Sequence, residues 1–335
     1  MTITDAQAKR AAEMTAANTP AKDLKDPAAR LGAIRRSDSL TGDLVGPATY
    51  LAEQSAHLAG LTFDGFTARR VSPTVGAEIS GVDLRAELAQ SVIDELARAL
   101  SEYKVLFFRD QPITSAQHVA FAKRFGDLEI HPFIPPNPDL PELVRFEKSA
   151  EVAGYENSWH HDVTWREIPS KAAVLHAIHV PEVGGDTLFA DMTAAYDGLD
   201  DEMKELLEGL DAEHDFMRAF SGQVKPGQEQ EMRERFPLVV HPVVTTHPVT
   251  GRKCLYVNRN FTSRIIGMDQ EESDRLLMFL CRQAFFPEHQ VRMAWKRDSV
   301  AMWDNMAVQH YASSDYWPEI RIMERASIIG TRPSR

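Results

Sequence analysis

Short apolar runs alternate with polar turns along most of the chain, beginning near residue 66. The segment SVIDELARALSEYKVLFFRD has apolar positions at helical spacing and then four consecutive apolar residues, which predicts an amphipathic helix followed by a buried strand. Further strands are predicted for KAAVLHAIHV, SVAMWDNMAVQHYA and IRIMERASIIG. Because helices interrupt many short strands without a regular βαβ alternation, we predict a mainly β protein with helices, a β-sandwich or jelly roll with helical insertions.

Residues 1–65 differ from the rest of the chain, since Tyr50 and Phe63 are their only aromatic residues. A segment of this composition buries little apolar surface by itself. Residues 6–17 and 48–58 have the pattern of helices that need the main body or another subunit to cover them. We therefore predict an N-terminal extension, partly helical or flexible, over residues 1–65 and one domain over residues 66–335.

The chain has 335 residues and a formal net charge of −12 at pH 7. This charge repels phosphate backbones and anionic lipid, so neither nucleic acid nor a membrane is expected as a partner. No apolar run approaches the roughly 18 residues that span a bilayer, and the first residues lack the apolar core of a signal peptide. The only cysteines, Cys254 and Cys281, do not make a disulfide framework. We expect a cytoplasmic protein.

The segment NSWHHDVTW, residues 157–165, carries the first candidate chemistry. The chain has no glycine-rich phosphate loop, no GxSxG elbow and no HExxH helix, which disfavours several other enzyme classes. On an extended segment His160 and Asp162 project to one face, while His161 points to the other. They supply two of the three ligands of a 2-His-1-carboxylate iron site. The spacing by itself also fits an unrelated surface pair.

The C-terminal third supplies further candidates. His310 is a candidate third metal ligand, and Arg321 follows it by eleven residues. On a strand, Arg321, Met323 and Arg325 share one face. Buried guanidinium groups need anionic partners, and no acidic residue alternates with them on this face. We therefore expect bound carboxylates or sulfonates, which arginine holds through two hydrogen bonds.

Five segments in order, WHHDVTW, PEVGGDTLFADMTAAY, HPVVTTHPVTG, WDNMAVQHYASSDY and RIMERASIIG, resemble the taurine dioxygenase family of iron(II)- and 2-oxoglutarate-dependent oxygenases. The resemblance runs from about residue 66 to residue 333. It implies a double-stranded β-helix core and a catalytic iron held by His160, Asp162 and His310. It also implies that Thr187 and Arg321 bind the distal carboxylate of 2-oxoglutarate. The implied cofactor is Fe(II), with 2-oxoglutarate and O2 as co-substrates.

The same resemblance implies where the substrate's anionic head group binds. In relatives that use sulfonates or sulfates, an arginine and a histidine hold this group, and they match Arg325 and His131 here. The backbone N–H near Val163 adds to the same cradle. The anion-binding end of the family's substrate site is therefore present in this sequence.

The other end of the substrate site departs from the taurine-specific members. These carry a tyrosine and an asparagine at positions that hold Ile134 and Glu156 here. Taurine remains a lower-ranked substrate for two reasons. Glu156 is able to pair with its ammonium group, and Asn157, one residue along, is able to take the role of the family's asparagine. Phe220 and Phe261 match aromatics that line the family's pocket, and ordinary core packing is their alternative role.

The sequence thus predicts an oxidoreductase, a dioxygenase that hydroxylates a small organic anion. An aliphatic sulfonate or sulfate ester ranks first, with release of sulfite or sulfate, succinate and CO2. Because Asp162 is present, hydroxylation is preferred to halogenation. A carboxylate, such as an aryloxyalkanoate or a biosynthetic intermediate, is the alternative for the same chemistry. A non-catalytic ligand-binding protein on the same fold is the alternative of another class. Relatives are often dimers or tetramers, so a homo-oligomer is expected.

Overall fold

The computed structural model describes residues 48–154 and 156–335. The helix predicted for residues 6–17 lies outside the described residues. The strands of the described part are β1 (Thr67–Arg70), β2 (Ala77–Ser80), β3 (Val105–Phe108), β4 (Leu143–Lys148), β5 (Ser170–His179), β6 (Thr187–Asp191), β7 (Asp211–His214), β8 (Val239–Pro242), β9 (Val244–Thr246), β10 (Lys253–Leu255), β11 (Thr262–Ile265), β12 (Gln290–Met293), β13 (Val300–Asp304), β14 (Val308–Ala312) and β15 (Arg321–Ile329).

Helices cover these strands or connect them. The α-helices are α1 (Tyr50–Ala59), α2 (Gln90–Tyr103), α3 (Ser115–Lys123), α4 (Met192–Asp197), α5 (Asp201–Leu207), α6 (Met217–Phe220), α7 (Glu229–Arg235) and α8 (Gln270–Arg282). Short 3-10 turns occupy Ser221–Gln223, Gln283–Phe285 and Pro287–His289. The predicted amphipathic helix and buried strand are α2 and β3.

Seven strands form the larger sheet, in the order β1-β2-β3-β13-β5-β15-β4. Neighbouring strands are antiparallel except for β2 and β3. Strand β3 is apolar throughout because both of its faces are covered: Val105 and Phe107 pack in the interior of the sandwich, while Leu106 and Phe108 pack in a second core that includes α2 and α3. A strand buried on both faces reads as a continuous apolar run, as the sequence does here.

A smaller sheet, in the order β12-β6-β14, packs against the inner face of the larger one. Phe189, Val291 and Val308 of the smaller sheet share one buried cluster with Trp303 and Met323 of the larger sheet. Two further small sheets, β11-β7-β8 and β10-β9, complete the strand pairing of the described residues. The two facing, largely antiparallel sheets form the core of a jelly roll and confirm the predicted fold class.

Helix α1 lies within the segment predicted as an N-terminal extension. Leu51 and Leu58 are its buried residues, and Leu58 belongs to the core shared with α2. The Tyr50 hydroxyl lies 2.5 Å from His289 Nε2. The main body therefore covers this helix. The domain boundary at residue 66 stays a prediction.

A buried ion pair joins the larger sheet to the smaller one. Lys104 ends α2 and donates from Nζ to Asp191 Oδ2 at 2.8 Å and to the Thr74 carbonyl at 2.9 Å. Asp191 ends β6, and its other carboxylate oxygen accepts the N–H groups of Thr193 and Ala194 at the start of α4. Both members of the pair are almost completely buried. Removing either one leaves the other charge without a partner away from water.

Replacing Lys104 with methionine should therefore destabilise the protein strongly. Truncating one partner of a buried ion pair costs roughly 3–5 kcal/mol of unfolding free energy, measured here by urea denaturation. The control is Arg85→Met, which breaks a solvent-exposed contact with Asp83 and should shift the urea midpoint little. Equal shifts for the two variants would show that the buried pair does not join the sheets as described.

Candidate metal centre and anion-binding cavity

One cavity of about 520 Å³ lies between the two sheets, and the loops before β4, between β4 and β5 and between β10 and β11 also contribute to its lining. This volume lies in the range of sites for small molecules. Its lining includes twelve residues for which the sequence predicted a role: His131, Ile134, Glu156, His160, Asp162, Val163, Thr187, Phe220, Phe261, His310, Arg321 and Arg325. Asn157 is not among the lining residues. The fold thus brings together side chains that lie up to 194 positions apart in the chain.

His160, Asp162 and His310 form a compact cluster in the cavity wall. His160 Nε2 lies 3.7 Å from one carboxylate oxygen of Asp162, and His310 Nε2 lies 3.9 Å from the other. The three potential ligand atoms all lie within 4.8 Å of one another. His310 is on β14, and its backbone exchanges hydrogen bonds of 2.9 and 3.1 Å with the backbone of His160. Two imidazoles and one carboxylate at these distances have the donor set of a 2-His-1-carboxylate metal site.

The loop that carries Asp162 is not the extended segment that the sequence suggested. Only His160 is bridged to a strand, and a turn begins at Asp162 with Val163 in a left-handed conformation, φ 49°. Asn305 fixes this turn: its amide accepts from the Asp162 N–H at 2.7 Å and donates to the carbonyls of Asp162 and Ser170 at 3.0 and 2.8 Å. The side chain of Asn305 thus sets the position of the carboxylate.

Charges around the cluster favour the protonation states that metal binding needs. Burial alone would raise the pKa of Asp162, but Arg325, His310 and His160 together lower it to about 2. Burial lowers the pKa of His160 and, more strongly, that of His310. His160 Nδ1 donates to the carbonyl of Ser158 at 2.8 Å, which leaves Nε2 as a free electron pair facing the cluster. Near neutral pH the cluster is therefore one carboxylate and two neutral imidazoles.

Arg325 contacts the candidate metal ligand directly. Its Nη1 donates to both carboxylate oxygens of Asp162, at 2.8 and 2.9 Å. Its Nε is buried and has no hydrogen-bond partner among the described residues. One guanidinium group therefore touches the metal cluster while keeping a donor available to another acceptor.

Arg321 lies four residues earlier on the same inner face of β15. Its Nε donates to the Gly185 carbonyl at 3.1 Å, and its guanidinium carbon lies 5.8 Å from the centre of the Tyr316 ring. A Cβ on Gly185 would approach the Arg321 side chain to 3.1 Å, so glycine is what lets the two segments meet. Nη2 of Arg321 is buried without a partner in the part of the chain that the structure describes. Such a group is costly unless an anion fills the space beside it.

His131 presents a neutral N–H donor rather than a charge. Its Nδ1 accepts the backbone N–H groups of Phe133 and Ile134 at 3.2 and 3.1 Å, so the ring proton is on Nε2. Burial, reinforced by the charge of Arg325, lowers the pKa of His131 to about 3. Glu129 holds this segment in place by accepting from Ser170 Oγ at 2.8 Å and pairing with Arg166 at 2.9 Å.

Beyond His131 the wall of the cavity has an apolar part, beside which Arg218, Gln223, Arg259 and Asn260 also line the cavity. The rings of Phe220 and Phe261 stack with centroids 6.2 Å apart, and the ring of Phe220 lies 5.7 Å from that of His131. Ile134 contributes a further apolar side chain to the lining. Phe220 is half-buried, whereas Phe261 is buried in the aromatic core with Trp165 and Phe216. This end of the cavity suits a hydrocarbon chain or ring.

The sequence profile of the Taurine catabolism dioxygenase TauD, TfdA family matches residues 67–327. The chain belongs to this family. It is therefore a 2-oxoglutarate-dependent dioxygenase, and the family identification made from the five sequence motifs is confirmed. In the described part of this dioxygenase, no helix has the length and apolar character needed to cross a membrane.

Relatives of this dioxygenase have different substrates. The chain is 35% identical over 270 residues to an alkylsulfatase of Acinetobacter baylyi, covering 78% of this chain and 84% of the relative. It is 34% identical over 270 residues to the (S)-phenoxypropionate/alpha-ketoglutarate-dioxygenase of Sphingobium herbicidovorans, with coverages of 77% and 92%. The solved structure of AAD-2 with Mn(II) and N-oxalylglycine matches with a TM-score of 0.71 at 34% identity, covering 81% of this chain and 99% of that one.

Glu156, for which the sequence left pairing with a substrate ammonium open, forms an ion pair within the dioxygenase. Its carboxylate lies 2.7 Å from Nζ of Lys148, and both residues line the cavity. Lys148 is directly opposite Arg321 in the register of β4 and β15. Lys148 and Asn305 were not predicted from the sequence. Lys148 could have been noticed as a lysine inside the strand-like run LVRFEK. Nothing in the local sequence pattern pointed to Asn305.

His131 should remain neutral across the range in which ordinary histidines titrate. We expect ¹⁵N NMR to show an unprotonated Nδ1 and a protonated Nε2 from pH 8 down to pH 5. Because the folded-state pKa lies below the usual value, this histidine contributes stability that is complete above about pH 6.5 and is lost as the pH falls towards 3. A midpoint for His131 near 6.5 would contradict this arrangement.

Proposed function

We propose that this dioxygenase hydroxylates a small organic anion, with an alkyl sulfate ester or alkyl sulfonate as the first-ranked substrate. The observation that carries the proposal is the pairing of a three-residue metal cluster with two buried guanidinium groups, Arg321 and Arg325, in one cavity. Two cationic groups four residues apart on one strand match a reaction that needs two anions, the keto acid and the substrate.

His160, Asp162 and His310 would hold Fe(II), since their donor atoms and protonation states fit a divalent cation. The bound iron supplies the redox chemistry with O2 that no side chain of the protein offers. The residues contribute position and charge: the backbone pairing of His160 with His310 sets the two imidazoles, and Asn305 sets the carboxylate. Arg325 keeps this carboxylate ionised.

Arg321 and Thr187 would bind the distal carboxylate of 2-oxoglutarate. The unpartnered Nη2 of Arg321 supports this assignment, because a carboxylate is the anion that satisfies a guanidinium through parallel hydrogen bonds. Glu324, which follows on β15, does not neutralise Arg321, because it points to the opposite face of the sheet and binds Ser115 and Asn137 there. The charge of Arg321 remains available to the cavity.

Arg325, the Nε2–H of His131 and the backbone N–H at Val163 would bind the head group of the substrate. Arg325 touches Asp162 as well, so the substrate anion and the metal carboxylate share one guanidinium. The carbon to be hydroxylated is then held close to the metal cluster. Phe220, Phe261 and Ile134 would enclose the tail, which favours an alkyl chain over an aminoethyl group.

The chemistry balances without a further reagent. One oxygen atom of O2 enters succinate as 2-oxoglutarate loses CO2, and the other becomes the new hydroxyl group. Hydroxylation of the carbon that bears the sulfate oxygen or the sulfonate sulfur gives an adduct that breaks down to an aldehyde and sulfate or sulfite. A carboxylate substrate is the second candidate, supported by the phenoxypropionate-using relative, and Arg325 would serve it equally.

The metal assignment gives the first test. Replacing His310 with alanine removes one of three ligands and should weaken binding of Mn(II) by more than about tenfold, since even outer-shell changes cost about 10–100-fold. Isothermal calorimetry on the metal-free protein measures this. His179→Ala, an exposed histidine outside the cavity, should leave the affinity unchanged. Full metal affinity in His310→Ala would refute the assignment.

The substrate proposal is tested by supplying hexyl sulfate, hexanesulfonate, taurine, a phenoxypropionate and 1-hexanol to the Fe(II)-loaded enzyme. Succinate and released sulfate or sulfite are measured together. We expect turnover of the hexyl anions ahead of taurine and none of hexanol, because a neutral head group leaves Arg325 and His131 without their partner.

Three results would count against this account. A strong preference for taurine would refute the apolar tail site. Turnover of the phenoxypropionate alone would replace the sulfate ester with a carboxylate. The non-catalytic alternative is favoured if the metal-loaded protein binds 2-oxoglutarate but does not consume it, either alone or in the presence of any compound of the panel. An oligomer of the enzyme, a dimer or tetramer, stays part of the proposal, and sedimentation measures it independently.

A further inference from the structure

We propose that Trp295 is a positioning residue that presets the hydroxyl of Thr187 as a hydrogen-bond donor to the distal carboxylate of 2-oxoglutarate. The inference rests on the proposed function, in which Thr187 and Arg321 bind this carboxylate. It adds Trp295, a residue that lies outside the cavity lining.

The fold brings the indole of Trp295 directly to Thr187. Met293, at the end of β12, is the antiparallel partner of Thr187 at the start of β6, and Trp295 follows two residues later. The indole Nε1–H donates to Thr187 Oγ1 at 2.9 Å. Both residues are buried, and Trp295 packs in the interior cluster of the sandwich. Trp295 itself lies just beyond the end of β12, and its burial in the core holds the contact.

The chemistry of the two groups fixes the direction of the hydrogen bond. An indole N–H only donates, so Thr187 Oγ1 has to accept. A hydroxyl carries a single proton, and this proton is left for another acceptor. In the described part of the chain no protein acceptor lies within hydrogen-bond distance of it, while Thr187 lines the cavity beside Arg321. The proton is thus available to an anion in the cavity.

The same hydrogen bond also selects the side-chain rotamer. Threonine is β-branched, and a rotation about χ1 exchanges the places of its methyl and hydroxyl groups. The indole N–H favours the rotamer in which Oγ1 faces Trp295. A hydroxyl that a buried partner already holds in place loses less conformational freedom when a ligand binds. This strengthens binding of a ligand whose carboxylate reaches Thr187, but not of a ligand that lacks this carboxylate.

The experiment measures ligand affinity in the Mn(II)-loaded protein, in which no turnover occurs. Isothermal calorimetry compares 2-oxoglutarate with oxalate, a metal chelator that lacks the distal carboxylate. The variants are Trp295→Phe, Thr187→Val and the double variant. A fourth protein carries benzothienylalanine at position 295, in which sulfur replaces the N–H group with little change of shape, so that packing and hydrogen bonding are separated.

We expect both changes at position 295 to weaken 2-oxoglutarate binding by about 3- to 10-fold, part of the value of one hydrogen bond to a charged group. Oxalate affinity should not change. Adding Trp295→Phe to Thr187→Val should have no further effect, because the hydroxyl that the indole positions is already absent.

Other outcomes overturn the inference in distinguishable ways. If Thr187→Val weakens 2-oxoglutarate binding and both changes at position 295 do not, Trp295 has no positioning role and the proposed function stands. Equal losses for 2-oxoglutarate and oxalate would assign Trp295 a purely structural role. If Thr187→Val itself leaves 2-oxoglutarate affinity unchanged, the proposed carboxylate site is wrong, and the inference falls with it.

Discussion

Strand β15 places two guanidinium groups, those of Arg321 and Arg325, on the inner face of a jelly roll where water cannot solvate them fully. Only part of their charge is met by the protein: Arg325 binds Asp162, and Arg321 keeps a buried N–H group without a partner among the described residues. A buried charge is tolerated when it is paired with an opposite charge. The need for anions in this cavity connects the fold to the chemistry of the enzyme.

The surrounding structure holds these charges in place and, among the described residues, gives Arg325 but not Arg321 a hydrogen-bonded carboxylate. Glu324, between the two arginines in sequence, points to the other side of the sheet because successive strand residues alternate. Glu156 is paired with Lys148, which lies on the neighbouring strand β4. The metal cluster is arranged on the same principle, with backbone pairing for the histidines and a clamp from Asn305 for the carboxylate.

Much of this structure was predicted from local sequence patterns. Apolar runs such as that of β3 marked strands buried on both faces, and the spacing of Arg321 and Arg325 placed them on one face. The contacts that fix the site join distant segments: Asn305 clamps a residue 143 positions away, and Trp295 reaches Thr187 across 108. No local periodicity encodes such pairings. The turn at Asp162 and the Lys148–Glu156 pair were missed for the same reason.

The central claim is that Arg321 and Arg325 divide the cavity between two different anions. Calorimetric titration of 2-oxoglutarate, and separately of hexyl sulfate in its presence, into Mn(II)-loaded Arg321→Met and Arg325→Met tests it directly. The account predicts that Arg321→Met weakens 2-oxoglutarate binding at least about tenfold, as truncated charge pairs do, whereas Arg325→Met spares 2-oxoglutarate and weakens hexyl sulfate. Loss of both ligands in both variants, or the reverse assignment, would contradict it.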